Sequence, residues 1–430
     1  MPTSLFRLEN MSSNIDDLLS RYKDKWFTDK YWTTPYNWLP EIRSQFDLPE
    51  RVQIHDATIR EGQQTPGVAF RKEEQVRIAQ ALDELGVSRI EVIPMISEED
   101  AEATKEIMKI RPNAMVIAFS SWQKEAIDLS IDCGVDAVLI DYVGNPWQGK
   151  TFWNLQPDDI IRRGVEAITY AKERGVYVSA LIWDDFRAPL SFLEKHYKTV
   201  VREGHLDSVT IADTWGCSLP WTTLWMIKLL RSWIPDTPIE FHIHNDFGLA
   251  TAGAIAAVCG GASVIQSTMC GIGERVGNVA TEEIALALEV LLGVKTGIRL
   301  EKLYETARLV QEIAKFYVGP NKPVIGSNAF RVASGWIYWM INKARKAGTP
   351  QGMFPFLPEL IGRREVEFVI SKGSGGSLIR DKLQELGVSL SEEELKKVVS
   401  MIKKEASIMK STLSEYEILS IVERVKGERK

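Results

Sequence analysis

The chain has 430 residues, of which 45% are hydrophobic and 26% are charged, and its formal net charge is -6. This is the composition of a globular protein with enough residues for one large domain and a smaller one. A mildly acidic chain has no positive field to attract nucleic acid or an anionic membrane surface, so we expect neither as a partner.

The cysteines are widely spaced and form no CxxC pair, at Cys133, Cys217, Cys259 and Cys270. Such spacing is typical of reduced thiols and not of a disulfide framework or a zinc site. The first residues lack a basic segment followed by an apolar one, and no apolar run reaches the roughly 20 residues that cross a bilayer. The sequence therefore predicts a cytoplasmic protein without a membrane segment.

Residues 1–50 include an aromatic-rich stretch at 26–38, which reads WFTDKYWTTPYNW. So many aromatic side chains are too apolar for a free tail. We interpret residues 1–50 as an N-terminal arm that packs on the rest of the chain or on a partner subunit.

Apolar, strand-like runs then alternate with segments of helical periodicity. Eight such runs are found at 52–56, 89–94, 114–119, 137–143, 176–182, 208–213, 239–246 and 262–269. The amphipathic segments include 72–85, 98–110, 157–174, 190–203, 221–233 and 251–259. This alternation over about 250 residues predicts an α/β fold, a (β/α)8 TIM barrel at 51–325. A doubly wound open sheet is the alternative, but it would carry a Gly-rich fingerprint after its first strand, and REGQ at 60–63 is not one.

Polar residues collect where the predicted strands end, which is the catalytic face of such a barrel. In chain order they are Arg60, Glu61 and Gln64 after strand 1, Glu91 in strand 2, Asp184 and Arg187 after strand 5, Thr214 after strand 6, His242 and His244 in strand 7, and the GIGERVGN loop at 271–278. Each residue alone could be a cap, a turn residue or half of a surface ion pair. Their common position at one rim favours an active site.

Two of the five histidines, His242 and His244, belong to one strand-like run. Side chains alternate along a strand, so both imidazoles point to the same face. A divalent metal would explain the pair, and a carboxylate such as Glu61 would balance its charge. Two core histidines bonded to backbone carbonyls are the alternative. Arg60 could form an ordinary ion pair with that carboxylate or could stabilise a developing oxyanion.

Four segments of the chain resemble the signatures of the DRE-TIM metallolyases, the HMG-CoA lyase-like superfamily. They are DATIREGQQTPG at 56–67, ADTWG at 212–216, HIHNDFGLA at 242–250 and GIGERVGN at 271–278, and the resemblance extends from about residue 50 to the C-terminus. Within the superfamily, the segments are most similar to those of the 2-isopropylmalate, homocitrate and citramalate synthases.

The resemblance implies one divalent metal ion per subunit, Mn, Mg, Zn or Co, with four ligands: Glu61, His242, His244 and Asn278. It implies that Arg60, helped by Gln64, stabilises the oxygen of a 2-oxo acid or its enolate, and that Thr214 contacts the substrate carboxylate. The partners would be a 2-oxo or hydroxy acid and an acyl-CoA. Further candidates to line the substrate pocket are Glu91, Trp183 and Arg187.

The chain departs from the synthases at the positions of their acid and base groups. Trp183 stands where they carry a glutamate after strand 5, and Ile337 stands where they carry a histidine that serves the neighbouring subunit's site. The groups that deprotonate an acyl-CoA methyl are therefore lost. Because the metal ligands are kept, we expect carbon–carbon cleavage of the aldolase or lyase type through a metal-bound enolate or alkoxide, with Tyr338 or Asp184 taking the proton.

Two alternatives to cleavage stay open. An acyl-CoA-dependent Claisen condensation, as in the synthases, would need a base elsewhere, and the retained loop at 271–278 favours it. A metal-binding regulatory or assembly protein that keeps a vestigial site is the non-enzyme alternative.

Residues 326–430 include helical segments at 336–347 and 391–407, and we interpret them as a C-terminal subdomain. The resemblance implies a homodimer in which residues 326–370 reach the partner subunit's site.

Overall fold

The computed structural model describes residues 12–427. The described chain divides into two compact units, a larger one of residues 12–25 and 34–318 and a smaller one of residues 26–33 and 319–427. This division splits the predicted arm at 1–50, because its aromatic residues 26–33 belong to the smaller unit. Residues 1–11 of that arm lie outside the described part of the chain. The proposed domain boundaries therefore remain predictions.

The larger unit is built on parallel strands that close into a barrel in chain order. The strands are β1 Gln53–Asp56, β2 Arg89–Val92, β3 Met115–Ser121, β4 Ala137–Val143, β5 Tyr177–Trp183, β6 Ser208–Asp213, β7 Ile239–Ile243 and β8 Val264–Ser267. The barrel closes where β1 pairs with β8, with His55 opposite Gln266. The predicted TIM barrel is confirmed, and the open sheet is wrong because no strand is left at an edge.

Helices connect the strands and cover the barrel. Before residue 319 they are Ser12–Arg21, Lys23–Trp26, Pro40–Arg43, Thr58–Glu61, Lys72–Leu85, Glu98–Ile110, Lys124–Asp132, Pro146–Trp153, Pro157–Glu173, Leu190–Gly204, Pro220–Trp233, Ala250–Cys259, Thr281–Ala287 and Leu303–Ala314. The helix Lys72–Leu85 illustrates why they form, since it buries Ile78, Leu82 and Leu85 on one face and ends at Gly86, whose φ of 94° suits a C-cap.

The barrel interior is apolar on one side and polar on the other. On the side of β3 to β6, Phe119 and Trp183 pack against a buried cluster of Ile117, Ala137, Leu139, Leu181 and Ala212. On the side of β1, β2, β7 and β8, the buried side chains include His55, Arg89, Glu91, Glu240, His242 and Gln266. Burying charged groups is costly unless they are paired, so the polar side needs partners within the barrel.

The smaller unit has a core of its own. Its helices are Gly335–Lys346, Gly376–Glu385, Glu392–Met409 and Glu415–Gly427, and a two-stranded parallel sheet pairs Arg331–Val332 with Glu367–Phe368. Leu378, Val398, Ile402 and Ile418 meet in the core of the last three helices. The predicted C-terminal helical region is confirmed. Among residues 12–427, we find no helix that combines the length and apolar character needed to cross a membrane.

Candidate metal centre and active site

Glu61, His242 and His244 converge at the mouth of the barrel. Glu61 ends the helical turn Thr58–Glu61 that follows β1, His242 is in β7, and His244 follows that strand directly. One ligand atom from each residue lies within 4.8 Å of the others, and all three side chains are buried. Two ligands of one ion stand at most about 4.4 Å apart, so a small side-chain rotation suffices for these atoms to bind the same ion.

The three side chains are in the protonation states that a metal ion requires. Burial and the neighbouring His244 lower the pKa of His242 to about 3, and burial also lowers the pKa of His244. Burial would raise the pKa of Glu61, but the Arg60 guanidinium overrides it and lowers the pKa to about 2. Both imidazoles are thus neutral at neutral pH, and the carboxylate is ionised.

A hydrogen bond orients the first imidazole. Nδ1 of His242 lies 3.0 Å from the Gln266 Oε1, which leaves Nε2 of the ring for a ligand. A bond of this kind fixes the tautomer and the ring plane of metal-binding histidines.

Asn278 supplies a fourth oxygen. Its backbone pairs with that of His244, and its buried Oδ1 has no hydrogen-bond partner among the described residues. The loop reaches this position because Gly277 has a φ of 85° and lies against the carbonyl of Gly271, where a Cβ would stand 1.8 Å from the oxygen. A buried oxygen without a donor beside two neutral imidazoles and a carboxylate fits a divalent cation site.

Arg60 connects this centre to β2. Its Nε donates to Glu91 at 2.6 Å, another guanidinium nitrogen donates to Glu61, and its Cζ lies 4.6 Å from the centre of the Phe119 ring. The remaining nitrogen, Nη2, is buried and has no partner among the described residues. With its amide nitrogen turned toward Glu61, Gln64 donates to both oxygens of that carboxylate at 3.0 Å.

A chain of buried polar groups runs beneath the site. His55 faces Glu91 through Nε2 at 3.1 Å and Glu240 through Nδ1 at 3.3 Å. Glu240 also pairs with Arg89 and accepts from Gln266 Nε2 at 3.5 Å. Burial would lower the pKa of His55, but the two carboxylates raise it. Because both ring nitrogens lie within 3.3 Å of a carboxylate oxygen, this arrangement favours the imidazolium form of His55.

Asp184, Arg187 and Thr214 are brought together at the rim, but they bind one another. The guanidinium of Arg187 donates to the two Asp184 oxygens at 2.6 and 2.9 Å, and the Asn145 amide donates to one of them at 2.9 Å. The backbone N–H of Asp184 donates to the Thr214 hydroxyl at 2.9 Å. These predicted site residues therefore join the loops that follow β4, β5 and β6.

Trp215 extends this connection to the loops after β7 and β8. Its ring contacts two guanidinium groups, with the Cζ of Arg187 at 4.7 Å and that of Arg275 at 5.0 Å from the ring centre. Arg275 in turn donates to both oxygens of Asp246 at 2.9 and 3.0 Å. The rim is thus held by alternating ion pairs and cation–π contacts.

The two remaining predicted residues are in different units. Trp183 ends β5, is partly exposed, and meets the ring of Trp153 edge-on at 6.0 Å. Tyr338 belongs to the smaller unit, where its hydroxyl donates to Asp381 and its ring packs against Phe368. The catalytic role of Tyr338 remains a prediction.

Asp141 is a residue at the mouth that the sequence analysis missed. It is in β4, two positions after the interior residue Leu139, and it is partly exposed. Burial raises the pKa of Asp141 to about 7. The positive charge of Arg60 opposes this shift, and the negative charges of Glu91 and Glu61 add to it. Its signal in the sequence is an acidic residue at an inward position of an otherwise apolar strand.

Comparison with protein-family models places the barrel and the following segment in known families. Residues 51–310 match the HMGL-like family, and residues 324–410 match a homocitrate synthase post-HMGL domain-like family.

The chain is also similar to curated proteins over most of its length. It is 38% identical to the homocitrate synthase of Methanocaldococcus jannaschii, over 86% of this chain and 88% of the relative. It is 36% identical to the 2-isopropylmalate synthase of the same organism, over 89% of this chain and 73% of the relative. The homocitrate synthase of Methanothermobacter thermautotrophicus is 35% identical over 87% of this chain and 93% of the relative.

Among solved structures, the HMG-CoA lyase of Bacillus subtilis aligns with 64% of this chain and 97% of its own, with a TM-score of 0.57 at 19% identity. This likeness supports the barrel fold alone. The match of residues 51–310 covers more than half of the chain, and the named relatives share over a third of their aligned residues with it. The chain therefore belongs to the HMGL-like family of DRE-TIM enzymes.

Proposed function

We propose that this enzyme condenses an acyl-CoA with a 2-oxo acid in a metal-dependent Claisen reaction. The observation that carries the proposal is the buried set of Glu61, His242 and His244 beside Arg60, in a chain whose quoted relatives are all named synthases. Family membership makes the chain an enzyme, so the regulatory alternative is not supported.

The residues of the site would have two roles in this reaction, metal binding and stabilisation of negative charge. A divalent ion would be held by Glu61, His242, His244 and Asn278 and would polarise the oxo group of the acceptor when bound. Arg60 would donate through its unpartnered Nη2 to the oxygen that gains negative charge as the new carbon–carbon bond forms. Because Glu91 and Glu61 fix two other nitrogens of the guanidinium, this donor is preorganised.

The departures at Trp183 and Ile337 favour cleavage, whereas the names of the relatives favour condensation. Trp183 and Ile337 still stand where the resemblance expects a glutamate and a histidine. Hydrogen bonds from Arg187 and Asn145 occupy both oxygens of Asp184. Tyr338, whose hydroxyl donates to Asp381, remains our candidate for proton transfer, in a homodimer in which residues 326–370 reach the partner subunit's barrel. The choice of ion among Mn, Mg, Zn and Co and the cytoplasmic location also remain proposals.

A two-channel assay tests the function. The metal-loaded enzyme is given acetyl-CoA with a panel of 2-oxo acids while free thiol is measured, and in parallel it is given hydroxy-oxo-acids while pyruvate and glyoxylate are measured. We expect thiol release that requires both substrates and is abolished by a chelator. Release of a 2-oxo acid without thiol release would favour cleavage and overturn the proposal.

A further inference from the structure

We propose that the acceptor is a 2-oxo acid with a single carboxylate and an uncharged side chain, and that Asp141 is the residue that excludes 2-oxo diacids. This inference rests on the proposed function and deepens it.

Asp141 lies at the mouth of the barrel on β4, with uncharged neighbours on both adjoining strands. In the register of β4, it lies opposite Ser121 of β3 and Leu181 of β5, whose side chains carry no charge. Asp141 interacts electrostatically with Arg60, Glu61 and Glu91, so it belongs to the same mouth as the metal centre. In residues 12–427, no hydrogen bond or ion pair occupies its carboxylate. Among the described residues, this partly exposed carboxylate is therefore free to meet a substrate that extends from Arg60 toward β4.

The charges of the buried residues and of a bound divalent ion determine how many carboxylates the site can accept. The positive groups are Arg60, Arg89, His55 and a divalent ion, and the negative ones are Glu61, Glu91, Glu240 and Asp141. Their balance is one positive charge, which the carboxylate of one 2-oxo acid neutralises. A divalent ion held by Glu61, whose charge acts on Asp141, would favour the ionised form of Asp141. A second carboxylate on the substrate would thus meet an anion in a site whose charge is already balanced.

A second substrate carboxylate would also need a further cation to bind it. Arg187 and Arg275 are each held by two hydrogen bonds to an aspartate, Asp184 and Asp246 respectively. No lysine is among the buried side chains of the described residues. Leu181 lies opposite Asp141 on β5, and Phe119 and Trp183 pack against the same apolar cluster of the interior, which suits an apolar substituent. Selectivity here comes from an unfavourable charge for the wrong substrate as well as from a fitting wall for the right one.

The test compares binding and turnover on the same protein. Metal-loaded enzyme is titrated calorimetrically, without acyl-CoA, with 3-methyl-2-oxobutanoate and 4-methyl-2-oxopentanoate as monoacids and with 2-oxoglutarate and oxaloacetate as diacids. Thiol release is then measured with acetyl-CoA and each acid. We expect the monoacids to bind at least roughly tenfold more tightly and to react at least roughly tenfold faster, the factor that one unfavourable charge contact gives.

Two variants connect the selectivity to Asp141. Asp141→Asn keeps the shape and removes the charge, and we expect it to reduce the monoacid-to-diacid ratio roughly tenfold. Asp141→Ser is a second variant in case the first does not fold, which metal content and melting temperature report. Asp158→Asn removes an exposed carboxylate that pairs with Lys195 and should leave the ratio unchanged.

The possible results are distinct. Tighter binding of a diacid by the unmodified enzyme overturns the inference, and so does an unchanged ratio in folded Asp141 variants. Selective binding of monoacids without any thiol release overturns the proposed function and leaves the substrate class standing. If no 2-oxo acid binds to the metal-loaded enzyme, both are wrong.

Discussion

Arg60 is the residue at which the ligands of the metal centre and the polar network beneath it meet. From sequence, this arginine could be either half of an ion pair or an oxyanion donor. In the structure Arg60 can have both roles, because Glu61 and Glu91 accept from two of its guanidinium nitrogens. The third nitrogen, Nη2, has no partner among the described residues. An ion pair that immobilises the guanidinium also aims its remaining donor.

Replacing Arg60 by lysine should separate catalysis from metal binding. Lysine keeps the positive charge but loses the planar fork that contacts two carboxylates and an oxyanion at once. We expect turnover in the thiol-release assay to fall by roughly 10²–10³, the scale for loss of one preorganised donor, while metal content stays at one ion per chain. Arg162→Lys, at an exposed ion pair, is the control. Unchanged turnover would remove Arg60 from the mechanism.

His244→Ala tests the metal assignment. Losing one of the four proposed protein ligands should lower metal content well below one ion per chain. The measurement is elemental analysis after gel filtration. The matched control is His205→Ala, because His205 is exposed at the end of the helix Leu190–Gly204. Full metal content in His244→Ala would mean that the ion is elsewhere.

Asp141 gives a pH-dependent stability that can be measured without substrate. Its pKa in the fold is about 7, above the ~3.9 of an unfolded aspartate. A carboxyl with a raised pKa stabilises the fold while protonated, so this contribution is present below about pH 4 and is lost as the pH rises toward 7. In metal-free protein, the melting temperature of Asp141→Asn should therefore exceed that of the unmodified chain by an amount that grows from pH 5 to pH 8. A constant difference would show that Asp141 is not the titrating group.

At the scale of elements, the barrel brings together residues that are far apart in the sequence. The polar chain beneath the site takes His55 from β1, Glu91 from β2, Glu240 from β7 and Gln266 from β8. Inward positions of neighbouring strands lie side by side, so these residues form one continuous network from Arg60 to His242. The network orients an arginine at one end and a metal-binding imidazole at the other.

His55→Gln should weaken the fold and the site together. Glutamine is neutral and leaves the negative charges of Glu91 and Glu240 without the imidazolium between them. Removing one partner of a buried ion pair costs about 3–5 kcal/mol, which urea unfolding followed by tryptophan fluorescence would report. The double variant His55→Gln with Glu240→Gln removes one of the stranded charges. The loss of stability in the double variant should be smaller than the sum of the losses in His55→Gln and Glu240→Gln. Strict additivity would argue against the charged state of His55.

Element type could be predicted from sequence better than element ends. Periodicity predicted the helices at 72–85 and 98–110 with the bounds that the structure has. Gly204 is the last residue of its helix, and Gly260 caps the helix Ala250–Cys259 with a φ of -85°, so the left-handed residues at these two ends are His205 and Gly261. Gly204 is needed for another reason, since a Cβ there would stand 2.8 Å from Ile168. A contact between two helices leaves no local signal in either segment.

At the scale of the whole molecule, the part of the site that could be predicted from the sequence is the part whose chemistry follows from residue type alone. Two histidines on one strand face and a carboxylate at another strand end are visible in the chain itself. Whether a charged residue is free is not visible, because that depends on other loops. Asp184 is occupied by Arg187 and by Asn145 from the loop after β4, and Thr214 accepts a backbone hydrogen. Asp141 could not be singled out from the sequence, because its lack of partners among residues 12–427 is a property of the assembled barrel.

Formation of a carbon–carbon bond between an acyl-CoA and a 2-oxo acid is the reaction that we propose for this enzyme. The most direct measurement is mass spectrometry of the products from doubly ¹³C-labelled acetyl-CoA and 3-methyl-2-oxobutanoate, with the metal-loaded enzyme and with His244→Ala. We predict a hydroxy diacid that carries both labelled carbons, formed together with free thiol and absent with His244→Ala. Label recovered as acetate or as unreacted acetyl-CoA across the whole panel of 2-oxo acids would contradict the account.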